Sequence, residues 1–228
     1  MIKQTRLMGA LVGLALLAAC AKGPERTPLE VEIFSTIREQ IALRRAPKQE
    51  RPPLTRALLD TLGSPYIEVT LEANGIFAYL QPQLVRRDDG PGEVVHWVTE
   101  DQVSVTLRDG ILIATRGLRG DLLSASTLAQ SGGPQGPEGR GARLFDLRFG
   151  DHESKTLEMA CTVADLGAEP LEIVEITYAT HHLQETCEGA NGRIVNDFWV
   201  DSRTGRVWQS RQWAGPLNGY IRIRQLTL

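Results

Sequence analysis

The sequence predicts a mainly β protein, an antiparallel β-sandwich or incomplete barrel of about ten strands with an N-terminal helical segment. Three observations indicate this class. From Pro65 to the C-terminus, β-branched and aromatic residues alternate with polar residues over short runs. Turn residues such as Asp109-Gly110 separate these runs. Helical periodicity is confined to residues 28–63, and no strand-helix-strand alternation follows it.

The first twenty residues, MIKQTRLMGALVGLALLAAC, have the layout of a secretory signal. Lys3 and Arg6 precede an apolar stretch that is too short to span a bilayer. The Leu-Ala-Ala-Cys that follows it resembles a bacterial lipobox, so residues 1–19 are expected to be a lipoprotein signal peptide and Cys20 to carry lipid chains such as palmitate. The alternative is an ordinary signal whose cleavage site abuts a cysteine.

Ala21, rather than aspartate, follows Cys20, which resembles the sorting pattern for the outer membrane. The mature chain of about 209 residues is expected to have a lipidated tether at residues 20–27 and a single β-rich periplasmic domain at residues 28–228. With about 23 basic against 28 acidic side chains after the signal, the mature chain does not suit a nucleic-acid partner.

Two helices are predicted within residues 28–63. Thr27-Pro28-Leu29-Glu30 reads as a capping box, and apolar residues recur every fourth position to about Arg44. After a break, LTRALLDTLG predicts a second helix that ends at Gly63. The leucines expected to face inward from it are Leu54, Leu58, Leu59 and Leu62.

Period-two alternation then predicts eleven strands. They are residues 66–71, 75–82, 93–99, 102–108, 111–117, 143–149, 155–164, 171–187, 194–200, 206–213 and 219–228. Asp109-Gly110 predicts a two-residue hairpin, and residues 202–205 predict a slightly longer one. The segment AQSGGPQGPEGRGA, residues 129–142, is expected to be a mobile loop that packs against nothing.

Two cysteines, Cys161 and Cys187, remain after the lipid site. Because thiols outside the inner membrane meet an oxidising compartment, a disulfide is expected. It would close a loop of about 25 residues and add roughly 3 kcal/mol of stability. The alternative is a metal site that includes His181 or His182, although the spacing is a weak metal signature.

The stretch ILIATRGLRGDLLS, residues 111–124, has three interpretations. It could be an anion-binding loop that uses Arg116 and Arg119, although that requires a longer helix after it. It could be an Arg-Gly-Asp adhesion signal, which needs an animal receptor. The favoured interpretation is a structural corner, in which glycines permit unusual backbone angles and Asp121 caps a short helix.

Four blocks, taken together and in order, resemble the YjbF/GfcB family of lipoproteins. They are the lipobox at Cys20, Trp97 with the strand pair ending DGILIATRGLRGDL, the pair Cys161 and Cys187, and NDFWVDSRTGRVWQSRQWAGPLNGYIRIRQL. The family is linked to group 4 capsule and exopolysaccharide production in Gram-negative bacteria. The resemblance implies a protein that is lipid-anchored in the outer membrane, faces the periplasm and acts beside an outer-membrane β-barrel in polysaccharide secretion. It implies no catalytic residue and no cofactor.

The search for catalytic motifs agrees with a non-enzymatic role. The sequence has no nucleophile elbow, zinc-protease motif, Walker loop or dinucleotide fingerprint. His181 and His182 are expected to point to opposite faces of one strand, so no metal site is expected. A glycosidase needs two carboxyls across a cleft. The candidates are Glu172 and Glu175, expected on opposite faces of one strand, and Asp197 and Asp201, which flank a tryptophan.

Trp199 and Trp208 are expected nearly opposite each other across the hairpin at residues 202–205. Such a pair suits either core packing or a platform for sugar rings. The candidate contacts for polymer or partner are therefore Arg116, Arg119, Trp199 and Trp208. The favoured hypothesis is an accessory protein that docks on an export barrel, with exopolysaccharide as a candidate second partner. The alternatives are a polysaccharide-modifying enzyme and a carrier for lipids or lipoproteins.

Overall fold

The computed structural model describes residues 54–128, 136–149, 153–190 and 192–228. The predicted signal peptide, Cys20, the tether, the first predicted helix and His152 lie outside the described residues. No helix within the described ranges is long and apolar enough to cross a membrane.

The described residues form one short helix and fourteen strands. The helix is α1 (Arg56–Leu59), and Thr55 caps it by accepting the Leu58 N–H. The strands are β1 (Tyr66–Leu71), β2 (Ile76–Arg86), β3 (Val94–Val98), β4 (Ser104–Arg108), β5 (Ile111–Arg116), β6 (Leu122–Ala125), β7 (Arg140–Phe149), β8 (Glu153–Ala168), β9 (Leu171–Ile173), β10 (Ile176–Tyr178), β11 (Thr180–Gly189), β12 (Gly192–Asp201), β13 (Val207–Trp213) and β14 (Tyr220–Thr227).

Twelve of these strands form one antiparallel sheet, and β9 and β10 form a separate hairpin. The order in the large sheet is β5-β4-β3-β2-β1-β14-β13-β12-β11-β8-β7-β6. Its two end strands, β5 and β6, follow each other in the chain and are joined by the short segment 117–121. The sheet therefore curls round until its ends meet, and the prediction of an incomplete antiparallel barrel is confirmed.

Strand β12 shows why these segments pair as they do. Its buried residues Ile194, Asn196, Phe198 and Val200 alternate with partly exposed ones, so one face points into the barrel. The strand pairs in continuous register with β11, from Thr180 opposite Asp201 to Gly189 opposite Gly192. The sequence alternation thus sets which side chains enter the core.

Apolar side chains make up most of the barrel interior of the described sheet. Buried contributors from around the sheet include Ile67, Leu80, Trp97, Leu107, Leu122, Phe145, Cys161, Cys187, Ile194 and Ile221. A lipid or lipoprotein carrier would need a large apolar cavity in this position. The observed packing therefore does not support the carrier hypothesis.

A second cluster joins α1 and the β9-β10 hairpin to the sheet. It consists of Leu59, Ile173, Trp208 and Leu226, all 7% exposed or less. The second predicted helix is shorter than expected, and only Leu59 of its leucines is fully buried. The prediction that Leu58 and Leu62 face inward is wrong, because they are 48% and 37% exposed. Leu58 lies on the outer side of the helix, and Leu62 follows the end of the helix at Asp60.

The predicted strand over residues 171–187 is three strands. The chain reverses between β9 and β10 at Val174 and Glu175, whose φ angles are 42° and 66°. Glu172 therefore lies on β9 whereas Glu175 lies in the turn, so the two carboxylates are not on one strand. Period-two alternation continues through such a reversal, which is why the sequence pattern did not reveal it.

The glycine-rich segment 129–142 also differs from expectation in its described part. Gly136 is buried and its N–H donates to the Asp109 carbonyl at 3.1 Å. Residues 140–142 belong to β7 and pair with β8. This part of the segment is packed, because its glycines allow close approach to neighbouring strands.

Candidate functional site

Residues 117–121 form the corner at which the two ends of the sheet meet. The buried Asp121 carboxylate accepts from the Gly117 N–H at 3.2 Å, the Leu118 N–H at 3.0 Å and the Thr115 hydroxyl at 3.1 Å. Gly117 and Gly120 have φ angles of 85° and 62°, which suit glycine. The interpretation as a structural corner matches this geometry, and Asp121 organises the turn through these three bonds.

The short helix predicted after Asp121 is wrong. The chain continues directly into β6, which pairs with β7. Asp121 therefore caps the turn before it rather than a helix after it. The run Leu122–Ala125 has no decisive local preference, so pairing with β7 determines its conformation.

Arg116 and Arg119 have different positions at this corner. The Arg116 guanidinium donates to the carbonyl oxygens of Thr115 at 2.6 Å, Leu122 at 3.2 Å and Leu123 at 3.3 Å. It thereby links the end of β5 to β6 where the sheet closes. Arg119 is exposed at the tip of the turn. A contact of either arginine with polymer or partner stays a prediction.

Replacement of Asp121 with alanine is expected to lower the free energy of unfolding by about 1–3 kcal/mol, because it removes the acceptor of two backbone N–H groups and one hydroxyl. Arg119→Ala alters the same turn but leaves those three bonds in place, and is expected to change stability by less than about 0.5 kcal/mol. Urea unfolding followed by tryptophan fluorescence measures both values. Equal losses in the two variants would show that the corner does not depend on Asp121.

Trp208 is a packed residue whose indole N–H is hydrogen-bonded and whose ring is covered on one face. Its Nε1–H donates to Asp201 Oδ2 at 2.9 Å, and Tyr178 stacks on it with ring centroids 3.9 Å apart. Burial acts to raise the pKa of Asp201, but hydrogen bonds from Trp208, Thr204 and Arg203 outweigh it and lower that pKa to about 2. The stabilisation from Asp201 is therefore present above its ordinary value near 3.8 and is lost as the pH falls toward 2.

The predicted pairing of Trp199 with Trp208 is wrong. Trp199 lies opposite Gln209, and Val200 lies opposite Val207, so a bulge displaces Trp208 from the ladder. Trp199 instead stacks on His182 of the neighbouring strand β11, with ring centroids 4.7 Å apart and planes within 10°. The two tryptophans thus belong to different surroundings.

Polar side chains surround the stacked His182 and Trp199. His182 Nε2 lies 3.0 Å from Asp197 Oδ1, and its Nδ1 lies 2.9 Å from Glu169 Oε2. Gln184 Nε2 also donates to Asp197 Oδ1 at 2.9 Å. We call these five residues the His182–Trp199 patch. It offers flat ring surface beside two carboxylates, a combination suited to a ligand that has both apolar faces and hydroxyl donors.

The predicted disulfide between Cys161 and Cys187 is present in the structure. The two residues lie directly opposite each other on β8 and β11, and both are buried. His181 and His182, the histidines of the alternative metal site, contact carboxylates instead. His181 lies 3.1 Å from Asp165 Oδ2, and His182 contacts Glu169 and Asp197.

A buried ion pair lies beside the disulfide. Arg143 Nη1 of β7 and Glu185 Oε2 of β11 are 2.6 Å apart, and the two side chains are 2% and 1% exposed. Asn196 Nδ2 donates to the same carboxylate oxygen at 2.8 Å, and Arg143 Nε donates to the Ser126 carbonyl at 2.7 Å. The two charges therefore stabilise each other inside the barrel.

The carboxylates considered for a glycosidase lie in separate environments. Asp197 accepts from His182 or Gln184 in the patch, whereas Asp201 is bound by Trp208 and the backbone of the next turn. Glu175 Oε2 accepts the Arg56 N–H at 3.2 Å, at the start of α1. Each of the three therefore contacts a different set of neighbours.

The model of one protein family, described as group 4 capsule polysaccharide lipoprotein gfcB, YjbF, matches residues 30–226. The chain belongs to the YjbF family. The match confirms the resemblance drawn from the four sequence blocks, and it supports a role in capsule production and a lipoprotein location in the cell envelope.

A solved structure with the same fold is the crystal structure of the hypothetical lipoprotein YmcC from Escherichia coli K12. It has a TM-score of 0.63 and 19% sequence identity to this chain, and the alignment covers 90% of this chain and 98% of that one. A search of curated proteins found no match. The similarity shows that the two chains share a fold.

Several site residues of this YjbF protein were not found by sequence reasoning. The sequence indicates only that His181 and His182 point to opposite faces of one strand, and no motif in it singles out Glu169 or Gln184. One signal was available for the buried pair: Glu185 stands two residues before Cys187, and residues two apart on a strand share a face. A carboxylate on the face of a buried cysteine requires a buried partner, which is Arg143.

Proposed function

We propose that this YjbF-family protein is a non-enzymatic accessory factor in capsule or exopolysaccharide secretion, anchored by lipid at Cys20 to the outer membrane and facing the periplasm. Its partner in this proposal is the outer-membrane β-barrel through which the polymer leaves. Family membership supports the link to capsule production. The Leu-Ala-Ala-Cys sequence and the following Ala21 support the anchor and its location.

The His182–Trp199 patch is the observation that carries a polymer contact. The His182 side chain is 17% exposed and Glu169 is 50% exposed, so the patch reaches the outer surface of the sheet. Sugar rings present C–H faces that stack on aromatic rings and hydroxyls that donate to carboxylates. The patch provides both kinds of group within one small area. Strands β11 and β12 hold all of its residues except Glu169, which follows β8.

The rigidity of the patch matters for this role. His182 and Trp199 are directly paired across the two strands, and both ring nitrogens of His182 have carboxylate neighbours. A preformed surface loses little conformational entropy when it binds a flexible chain. The patch therefore suits the binding of a flexible polymer, because only the polymer has to become ordered.

Deletion of the gene is expected to reduce surface polysaccharide several-fold, and the full-length gene is expected to restore it. The double variant His182→Ala/Trp199→Ala should fold and reach the membrane but restore export only in part, because the polymer contact is lost. Arg193→Ala, at a residue whose side chain is 61% exposed on the same hairpin, serves as the matched control. Surface polysaccharide is measured by immunostaining or by uronic acid and hexose assay.

The location and partner are tested in the same strains. Cys20→Ala should move the protein from the outer-membrane fraction to the soluble fraction. Purification of the wild-type protein from detergent-solubilised outer membrane should bring down a β-barrel partner. Unchanged polysaccharide export in the deletion strain would contradict the proposed function.

A further inference from the structure

A small cavity opens at one end of the barrel, separate from the His182–Trp199 patch. It has a volume of about 180 Å³ and lies between strands β2, β3 and the β4-β5 turn on one side and strands β13 and β14 on the other. Leu107 and Ile223 line it from within, and both belong to the buried core. Trp97 and Trp208 supply aromatic walls. We call it the barrel-mouth cavity.

Polar and charged residues also line this cavity. They are Glu93, Asp109, Arg206, Ser210 and Gln225. Asp109 is held in the left-handed region at φ 47°, its N–H donates to the Glu93 carbonyl at 3.0 Å, and its Oδ1 accepts the Glu93 N–H at 2.9 Å. This reciprocal pair holds the two backbone segments together and fixes the Asp109 carboxylate beside them.

The walls are rigid as well. Asp201 holds the Trp208 indole N–H, and Tyr178 packs on one face of its ring. Trp97 is 6% exposed within the core cluster. A cavity whose walls are fixed before binding loses little entropy when a ligand enters.

We propose that the barrel-mouth cavity binds one terminal or branch pyranose residue of a neutral polysaccharide. The cavity is smaller than the roughly 300–1,000 Å³ of pockets that hold drug-sized ligands, and so suits a ligand of about one sugar ring. Because core side chains close its inner end, a continuous polymer cannot pass through it. A chain end or a single branch sugar can enter.

The charged residues of the lining select among sugars. The lining contains two acidic residues, Glu93 and Asp109, and one basic residue, Arg206. Carboxylates accept hydrogen bonds from hydroxyls, whereas they repel another carboxylate. Neutral pyranoses are therefore favoured over uronic acids. This inference rests on the proposed function, in that it names the part of the exported polymer that the protein recognises.

The test uses the full mature lipoprotein purified in detergent and three probes: methyl β-D-glucopyranoside, methyl β-D-galactopyranoside and D-glucuronate. Saturation-transfer NMR and tryptophan fluorescence report binding. At least one neutral glycoside is expected to bind, with an affinity at least about tenfold above that for glucuronate. Asp109→Asn keeps a residue that tolerates the left-handed turn but removes the charge. It should weaken binding of the neutral glycoside and reduce the discrimination against glucuronate.

Glu93→Gln is the second variant, in case Asp109→Asn alters the turn. Glu100→Gln, which removes one exposed carboxylate from the β3-β4 turn, is the matched control and should bind as wild type does. Absence of binding by all three probes, equal binding of neutral sugar and glucuronate, or loss of binding equally in the control would overturn the inference. No sugar binding together with reduced export in the deletion strain contradicts only the cavity. Sugar binding with unchanged export supports the cavity and contradicts the accessory role.

Discussion

Replacement of Glu185 with alanine is expected to destabilise the protein by about 3–5 kcal/mol, because it leaves a buried guanidinium without its carboxylate. Arg143 and Glu185 are 2% and 1% exposed and only 2.6 Å apart, so water cannot replace the lost partner. Arg143→Ala should cost a similar amount by leaving the carboxylate with Asn196 alone. Guanidinium unfolding curves measure both losses.

The double variant Arg143→Met/Glu185→Leu tests whether the loss of stability in each single variant comes from the buried charge that is left unpaired. It removes both charges and fills their volume with apolar atoms, so it should be more stable than either single variant. Arg193 and Glu188 form an exposed ion pair on the β11-β12 hairpin, which also carries Glu185. The control variants Arg193→Ala and Glu188→Ala should each change stability by less than about 1 kcal/mol. A Glu185→Ala loss as small as that of the exposed pair would contradict the buried interaction.

Removal of the disulfide by Cys161→Ala/Cys187→Ala is expected to lower the free energy of unfolding by about 3 kcal/mol, since the bond closes a loop between residues 26 apart. The bond joins directly opposed residues of β8 and β11 inside the core. Thermal unfolding of the wild-type protein with and without reductant should show the same shift as the variant. The measurement is the midpoint temperature by circular dichroism.

Thr162 and Thr186 offer a matched control one position along the same two strands. Thr162→Ala/Thr186→Ala alters a cross-strand pair on the other face and should cost much less than the cysteine pair. Equal midpoints for oxidised and reduced wild-type protein would show that the bond adds no stability. Because Glu185 is two residues from Cys187, the cysteine and Glu185 variants should not be strictly additive.

The register of β12 and β13 shows where sequence periodicity fails. Counting outward from the hairpin at residues 202–205 places Trp199 opposite Trp208, but a bulge moves Trp208 out of register. A bulge inserts one residue without altering the composition of the strand, so alternation alone does not reveal it. The aromatic partners of Trp199 and Trp208 therefore required the structure.

The segment after Asp121 shows a second kind of failure. Asp121 followed by Leu122-Leu123-Ser124 is compatible with a capped helix or with a strand. The outcome depends on pairing with β7, whose partner residues come twenty or more positions later in the chain. The helix and strand propensities of these residues differ too little to outweigh the pairing with β7.

The sequence by itself determined the features that depend on neighbouring residues: the β class, most strand positions, the Asp109-Gly110 hairpin and the two cysteines available for a disulfide. Alternation and turn chemistry act over a few residues and can be read directly. Only the tertiary structure decided that β5 meets β6, that Arg143 pairs with Glu185, and that His182 stacks on Trp199. These contacts join residues that come together only when the sheet curls and its register is set. The sequence pattern alone does not show that these residues lie close together in space.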